Sequence, residues 1–161
     1  MNIFALNHCP TVSAEQQCDK HVVKMILESA QMLCSAHRVL DGDEPADRRG
    51  LYRKTHANHP CSVWVRHATA NYQWLCSHAL ALCDEYTRRY GRRHKSQDII
   101  EWCNGNRPDN LPLGYRTPFA MAMPDEHKHD DPVVAYRQYY RAKQSEIDMR
   151  WTEREMPEWL K

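Results

Sequence analysis

Residues 18–38 read CDKHVVKMILESAQMLCSAHR, and the spacing of their apolar members decides the fold. At about 100° per residue, Val22, Met25, Ile26, Ala30 and Leu33 cover the sides and back of a helix. That helix is expected from about Asp19 to Leu40, with Asp19 as its N-cap and the turn signal DGD at 41–43 ending it. One narrow stripe does not fit a buried helix. His21, Lys24, Glu28, Gln31, Ser35 and Arg38 step by three or four residues up a single line. A solvated face is the simplest account of such a stripe. A groove lined with titratable groups is the other.

A second long helix is expected to open at Pro60 and to run to about Tyr90, where Gly91 stops it. Arg66, Thr69, Gln73, Ser77, Asp84 and Arg88 form its outward face. His67, Asn71, His78, Glu85 and Arg89 occupy a different sector, flanked by apolar residues such as Trp64, Trp74, Leu75 and Leu82. A helix in a compact domain has two polar faces only if one lines a cleft or is satisfied internally. The two stripes are therefore expected to face each other across one polar groove. A short helix follows from about Ser96 (SQDIIEWCN). A long irregular segment from Asn104 to Asp131 comes next, and long ordered loops are usually functional. A last helix opens at Pro132 with an aromatic face of Tyr136, Tyr139 and Tyr140. MNIFAL is expected to be an extended lead-in, 41–58 a polar connection, and the C-terminal tail docked only through Trp159. The fold class is all-α: residues 1–161 as a single compact helical domain.

Composition narrows the function classes. Of 161 residues, 42% are apolar and 27% charged, ordinary values for a globular domain with a real core. A net charge of +1 excludes a general polycation mechanism for binding nucleic acid and leaves room only for a local basic patch. No apolar run is long enough for a membrane span, and the N-terminus has no signal-peptide pattern. Seven cysteines, an odd number with no CxxC, fit free thiols in a reduced, cytoplasmic compartment. His8, Cys9, Cys18, His21 and the HKH at 127–129 lack the spacing of a structural zinc site, so no metal and no cofactor are expected. The run RRYGRRHK at 88–95 complements a helix C-terminus, or, through Arg89, Arg92 and Arg93, contacts phosphates.

Three pieces carry a resemblance: MNIFAL, HVVKMILESAQMLCSAHRVLDG, and THANHPCSVWV followed by ALCDEYTRRYG. In that order they resemble the pyrimidine-dimer DNA glycosylase/AP lyase family of phages and bacteria, over about residues 1–40 and 55–95. The chain is also similar to small phage proteins carrying CDKHVVKMILE-type text. The family resemblance implies a helical fold and base excision. An N-terminal α-amine attacks C1′ of the sugar to form a Schiff base, and a helix glutamate assists the proton transfers. Carried over, that glutamate is Glu28, with the Met1 amine as nucleophile and His21 and Lys24 tuning the carboxylate. Lys20, Gln31, Arg38, His56, His59, Asn71, His78, Arg89, Arg92 and Arg93 are the candidate substrate-binding residues. DNA is the implied partner, without a membrane; the oligomeric state stays open.

The chain departs from the family in two places. The family's best-studied enzymes expose the amine of residue 2 after Met removal, whereas Asn2 is too large for efficient removal, which leaves the amine to Met1. The basic residues around the family glutamate are largely arginines, replaced here by His21, Lys24 and Gln31, so the base lesion or modification recognised is left open. Two other function classes fit the same residues: a pyrimidine-modifying enzyme or His-based metal hydrolase, and a non-catalytic DNA- or protein-binding module.

Overall fold

The computed structural model describes residues 1–161 and contains seven α-helices and no strand. These are α1 (Pro10–Gln16), α2 (Asp19–Asp41), α3 (Asp43–Arg48), α4 (Pro60–Val65), α5 (Thr69–Tyr90), α6 (Gln97–Gly105) and α7 (Pro132–Lys143). Short 3-10 turns at Asp125–His127 and Glu158–Leu160 complete the regular structure. None of the helices is long and apolar enough to cross a membrane. All seven cysteines are free.

The two long helices α2 and α5 pack antiparallel. The Arg89 guanidinium near the end of α5 reaches Asp19 at the start of α2 at 3.1 Å, and His37 near the end of α2 meets the Tyr72 hydroxyl at 3.0 Å. Between them Val22, Met25, Ile26, Leu33, Leu75, Ala79 and Leu82 form the centre of the core. Asp19 is not the N-cap of α2; Cys18 holds that position without a side-chain cap bond. The Asp19 carboxylate instead ties down the C-terminal tail, accepting from the Thr152 N–H and hydroxyl.

The helix expected from Pro60 to Tyr90 is two helices, broken at residues 66–68. The break has a visible cause. Thr69 N–H donates to Pro112 O at 2.8 Å and Ala70 N–H to Gly114 O at 3.2 Å, so the donors that would continue α4 serve the long loop instead. Asn71 completes the splice, donating to Trp64 O and Thr117 Oγ1 and accepting from Thr117 N–H. Gly91 ends α5 in the left-handed conformation (φ 67°), as its position predicts. The final helix opens at Pro132, as expected, and stops at Lys143. MNIFAL forms no strand; it is bent at Phe4, whose φ is 41°.

Helix α1 changes the reading of α5. It lies along the polar sector that was expected to open onto a groove. His78 donates through Nδ1 to Pro10 O at 2.9 Å and receives Gln17 Nε2 at 3.2 Å on its other nitrogen. Arg89 donates to the carbonyls of Gln17 and Glu15 and clasps Glu85, which Arg154 also reaches. Asn71, His78, Glu85 and Arg89 of the second stripe are thus satisfied internally while His67 is exposed, and the two stripes do not face each other across a cleft.

Burial pushes the pKa of His78 down to about 4, and that of His21 also to about 4, with Lys143 and Lys24 adding to the effect on His21. Between pH 6.5 and 4 the unfolded chain then binds more protons at these sites than the folded chain, so stability falls as pH falls through that window. Denaturant midpoints are expected to be clearly lower at pH 4.5 than at pH 7. A flat profile across this range would contradict the neutral, buried state of the two rings.

Candidate active site

The first stripe does converge on a site, but with the chain's own N-terminus as its partner. The Met1 α-amine lies 3.6 Å from Glu28 Oε2, and the next peptide N–H, from Asn2, donates to the same oxygen at 2.9 Å. Lys24, one turn before Glu28 and largely exposed, places its ammonium 3.6 Å from Oε1. Both carboxylate oxygens therefore face positive charge or a donor. Glu28 itself is only 8% exposed.

The lead-in is shaped to hold this geometry. Asn2 Oδ1 accepts from the N–H groups of Ile3 and Phe4, and its Nδ2 donates to Ala122 O at 2.8 Å. Those bonds support the left-handed turn at Phe4, a conformation that costs a non-glycine residue free energy. The Phe4 ring stacks on His21 at a centroid distance of 4.5 Å. The Met1 side chain is almost wholly buried against the core, while the residue as a whole keeps intermediate exposure. What remains accessible of Met1 is therefore its backbone end, where the amine is. An amine held this way is oriented before any substrate arrives.

Around this pair stand His59, Cys61 and Tyr136. His59 caps α4, its Nδ1 accepting from Cys61 N–H at 3.1 Å. Burial, the nearby α-amine and His56 hold His59 below the usual histidine range, with Glu28 opposing. Burial pushes the Cys61 thiol up to about 11, which makes it an inert filler rather than a nucleophile.

The other sequence candidates fall in different places. His21 sits on the same line of α2 as Glu28 but about 10 Å of helix rise away. Its Nδ1 meets the Tyr140 hydroxyl at 3.0 Å, and that hydroxyl in turn accepts from Cys18 N–H. The structure does not bring His21 to Glu28. Gln31 is half-buried one turn beyond Glu28, and Lys20 and His56 are exposed. Arg38, Asn71, His78 and Arg89 are buried, and their polar atoms are occupied within the chain. Arg38 pins the α3 region through Asp43, Asp47 and the carbonyls of Leu51 and Tyr52. Glu28 meets none of His67, Asn71, His78 or Glu85. Arg92 and Arg93 lie past the end of α5, where Arg92 bonds the Tyr86 hydroxyl and Arg93 pairs with Asp98 and Glu101. Open hollows of about 470 Å³ beside His37 and Trp102, and of about 550 Å³ beside Glu15 and Arg154, do not include Met1 or Glu28.

An N-terminal amine against a helix glutamate is the arrangement that the family resemblance requires. Residues 1–98 match the pyrimidine dimer DNA glycosylase family. The chain belongs to that family. The match takes in α1 to α5 and every residue within reach of the amine except those contributed by the long loop and α7. No curated protein and no solved structure gives a match. Sequence reasoning missed Asn2 as the residue that shapes the lead-in, and Lys143 and Tyr140 as the groups around His21. An Asn two residues before a bulky residue in a left-handed turn is a recognisable side-chain-to-backbone signal, though a weak one.

Proposed function

We propose that this protein is a DNA glycosylase with AP lyase activity, acting on damaged or modified pyrimidines through the Met1 amine and Glu28. The observation that carries the proposal is the 3.6 Å approach of the amine to Glu28 Oε2, with the Asn2 N–H fixing the carboxylate. Family membership supports DNA as the substrate.

The chemistry balances with groups of this chain and the nucleotide. The amine lone pair attacks C1′, the bond from C1′ to the pyrimidine nitrogen breaks with its electron pair, and the departing base takes up a proton. The amine proton goes to the departing base, and the C1′–O4′ bond then breaks, with O4′ taking a proton from water, to leave a protonated imine at C1′. Glu28 as carboxylate then removes a proton from C2′. The C2′–H electron pair forms an enamine with C1′. Its return regenerates the imine and forms a C2′=C3′ double bond as the C3′–O bond breaks, releasing the 3′ strand with its 5′-phosphate. Water hydrolyses the imine and restores the amine. Proton transfer by a positioned carboxylate is worth about 10²–10⁴ in rate. Lys24 holds Oε1 and His59 stands beside the amine, so both are proposed to orient the reacting groups or the sugar. The target atom is shielded within the duplex, so the nucleotide is proposed to leave the stack to reach the amine.

The test is to block the amine while leaving the fold intact. One residue added before Met1 is expected to abolish cleavage of an oligonucleotide containing an abasic site, with little change in melting temperature. Unchanged cleavage by a protein whose intact mass shows the added residue would remove Met1 from the mechanism.

A further inference from the structure

The loop between α6 and the Asp125–His127 turn presents two large apolar side chains to solvent: Leu113 is 80% exposed and Tyr115 95%. A mobile tail could do this by default, but this segment is anchored on both sides. Leu111 and Phe119 are buried, and Phe119 packs on Trp64 and Trp74 at centroid distances of 5.5 and 4.7 Å. The tip itself is clamped to the start of α5. Gly114 N–H donates to Thr69 Oγ1 at 3.1 Å, and Gly114 O receives the Thr69 hydroxyl and the Ala70 N–H. A Cβ on Gly114 would come within 3.2 Å of Ala68 Cβ, so a side chain there would crowd the tip against the residue that precedes α5.

The tip is joined to the proposed site by one exposed line. Pro60 and Val63 are exposed on α4, and His67 is exposed in the break that follows it. That line starts beside His59, near the amine, and ends next to Ala68, on which Gly114 rests. Both chain segments that form this face lack carboxylates. No Asp or Glu occurs from Leu51 to Cys83, a stretch that carries Arg53, Lys54 and Arg66, and none occurs from Asn110 to Pro124, which carries Arg116. Two carboxylate-free segments that carry arginines and a rigid apolar tip match a phosphate backbone flanking an opened base step.

We propose that Leu113 and Tyr115 form a wedge that enters the base stack of duplex DNA and holds open the step from which the target nucleotide is drawn to Met1. The inference rests on the reading of Met1 as a nucleophile toward DNA. The two side chains act as positioning residues: they fill the space the nucleotide leaves and do not touch the reacting atoms. Apolar side chains inserted between base steps offset the loss of stacking in this way.

The test compares the wild type with Leu113→Ser/Tyr115→Ser on two probes, an abasic-site duplex with 2-aminopurine beside the abasic site and the same abasic strand alone. Both side chains are exposed, so the melting temperature is expected to stay unchanged. The double variant should cleave the single strand at the wild-type rate, because no stack has to be opened there. On the duplex it should be slower by roughly tenfold or more, and the rise in 2-aminopurine fluorescence seen with the wild type should be lost. Equal rates on both probes, or equal losses on both, would overturn the wedge. If the wild type itself forms no borohydride-trapped adduct even with the single strand, the nucleophile reading fails and the wedge with it.

Discussion

Glu28→Gln is expected to lower cleavage at an abasic site by a factor of order 10²–10⁴ while leaving DNA binding nearly unchanged. The substitution keeps the shape of the side chain and a carbonyl oxygen to accept from Asn2 N–H, which donates to Oε2 at 2.9 Å. It removes the group proposed to take the C2′ proton. Helix propensities of Gln and Glu are similar, so α2 should persist. Stability is expected to change little, because the lost attraction to the amine and to Lys24 is offset by no longer burying a carboxylate. The loss should therefore appear in turnover. An adduct can still form, since the nucleophile is untouched. A purely structural role for Glu28 predicts the reverse pattern, with a lower melting temperature and a wild-type rate per folded molecule.

Arg89→Leu is expected to produce the largest loss of stability, about 3–5 kcal/mol. The Arg89 side chain is fully buried, and its donors serve Glu85, Asp19 and the carbonyls of Glu15 and Gln17. Without it Glu85 keeps only Arg154, and two buried carbonyls lose their donors. For a chain of this length the loss corresponds to a fall of about 10 °C in melting temperature. Folded protein at low temperature should still bind DNA with the wild-type salt slope, since a buried guanidinium cannot neutralise a phosphate. A smaller salt slope with unchanged stability would restore Arg89 to the DNA-binding set.

The helices were legible where one side is apolar and the ends carry strong signals. Asp19–Asp41, the Gly91 stop and the Pro132 start all follow from spacing and caps. Glu28 and Met1 were legible through the family pattern, and the structure places them together. What escaped was long-range. Helix α1 is seven residues long with a weak apolar pattern, and because it covers α5 at His78, Glu85 and Arg89 while the long loop covers Asn71, that stripe reads as a groove until the cover is known. The break at residues 66–68 depends on carbonyls of Pro112 and Gly114, more than 40 residues away, which no local pattern reports. His21 and Glu28 share a face of α2, yet the bent lead-in delivers Phe4 to one and the amine to the other. Sequence spacing defines the line but not which part of the chain meets each step of it.

The most direct measurement of the central claim is borohydride trapping on an abasic oligonucleotide, followed by proteolysis and mass mapping of the adduct. The account predicts a covalent protein–DNA species whose sugar remnant maps to the α-amine of Met1. An adduct on the Lys24 ammonium, or no adduct from a folded protein that binds the oligonucleotide, would contradict it.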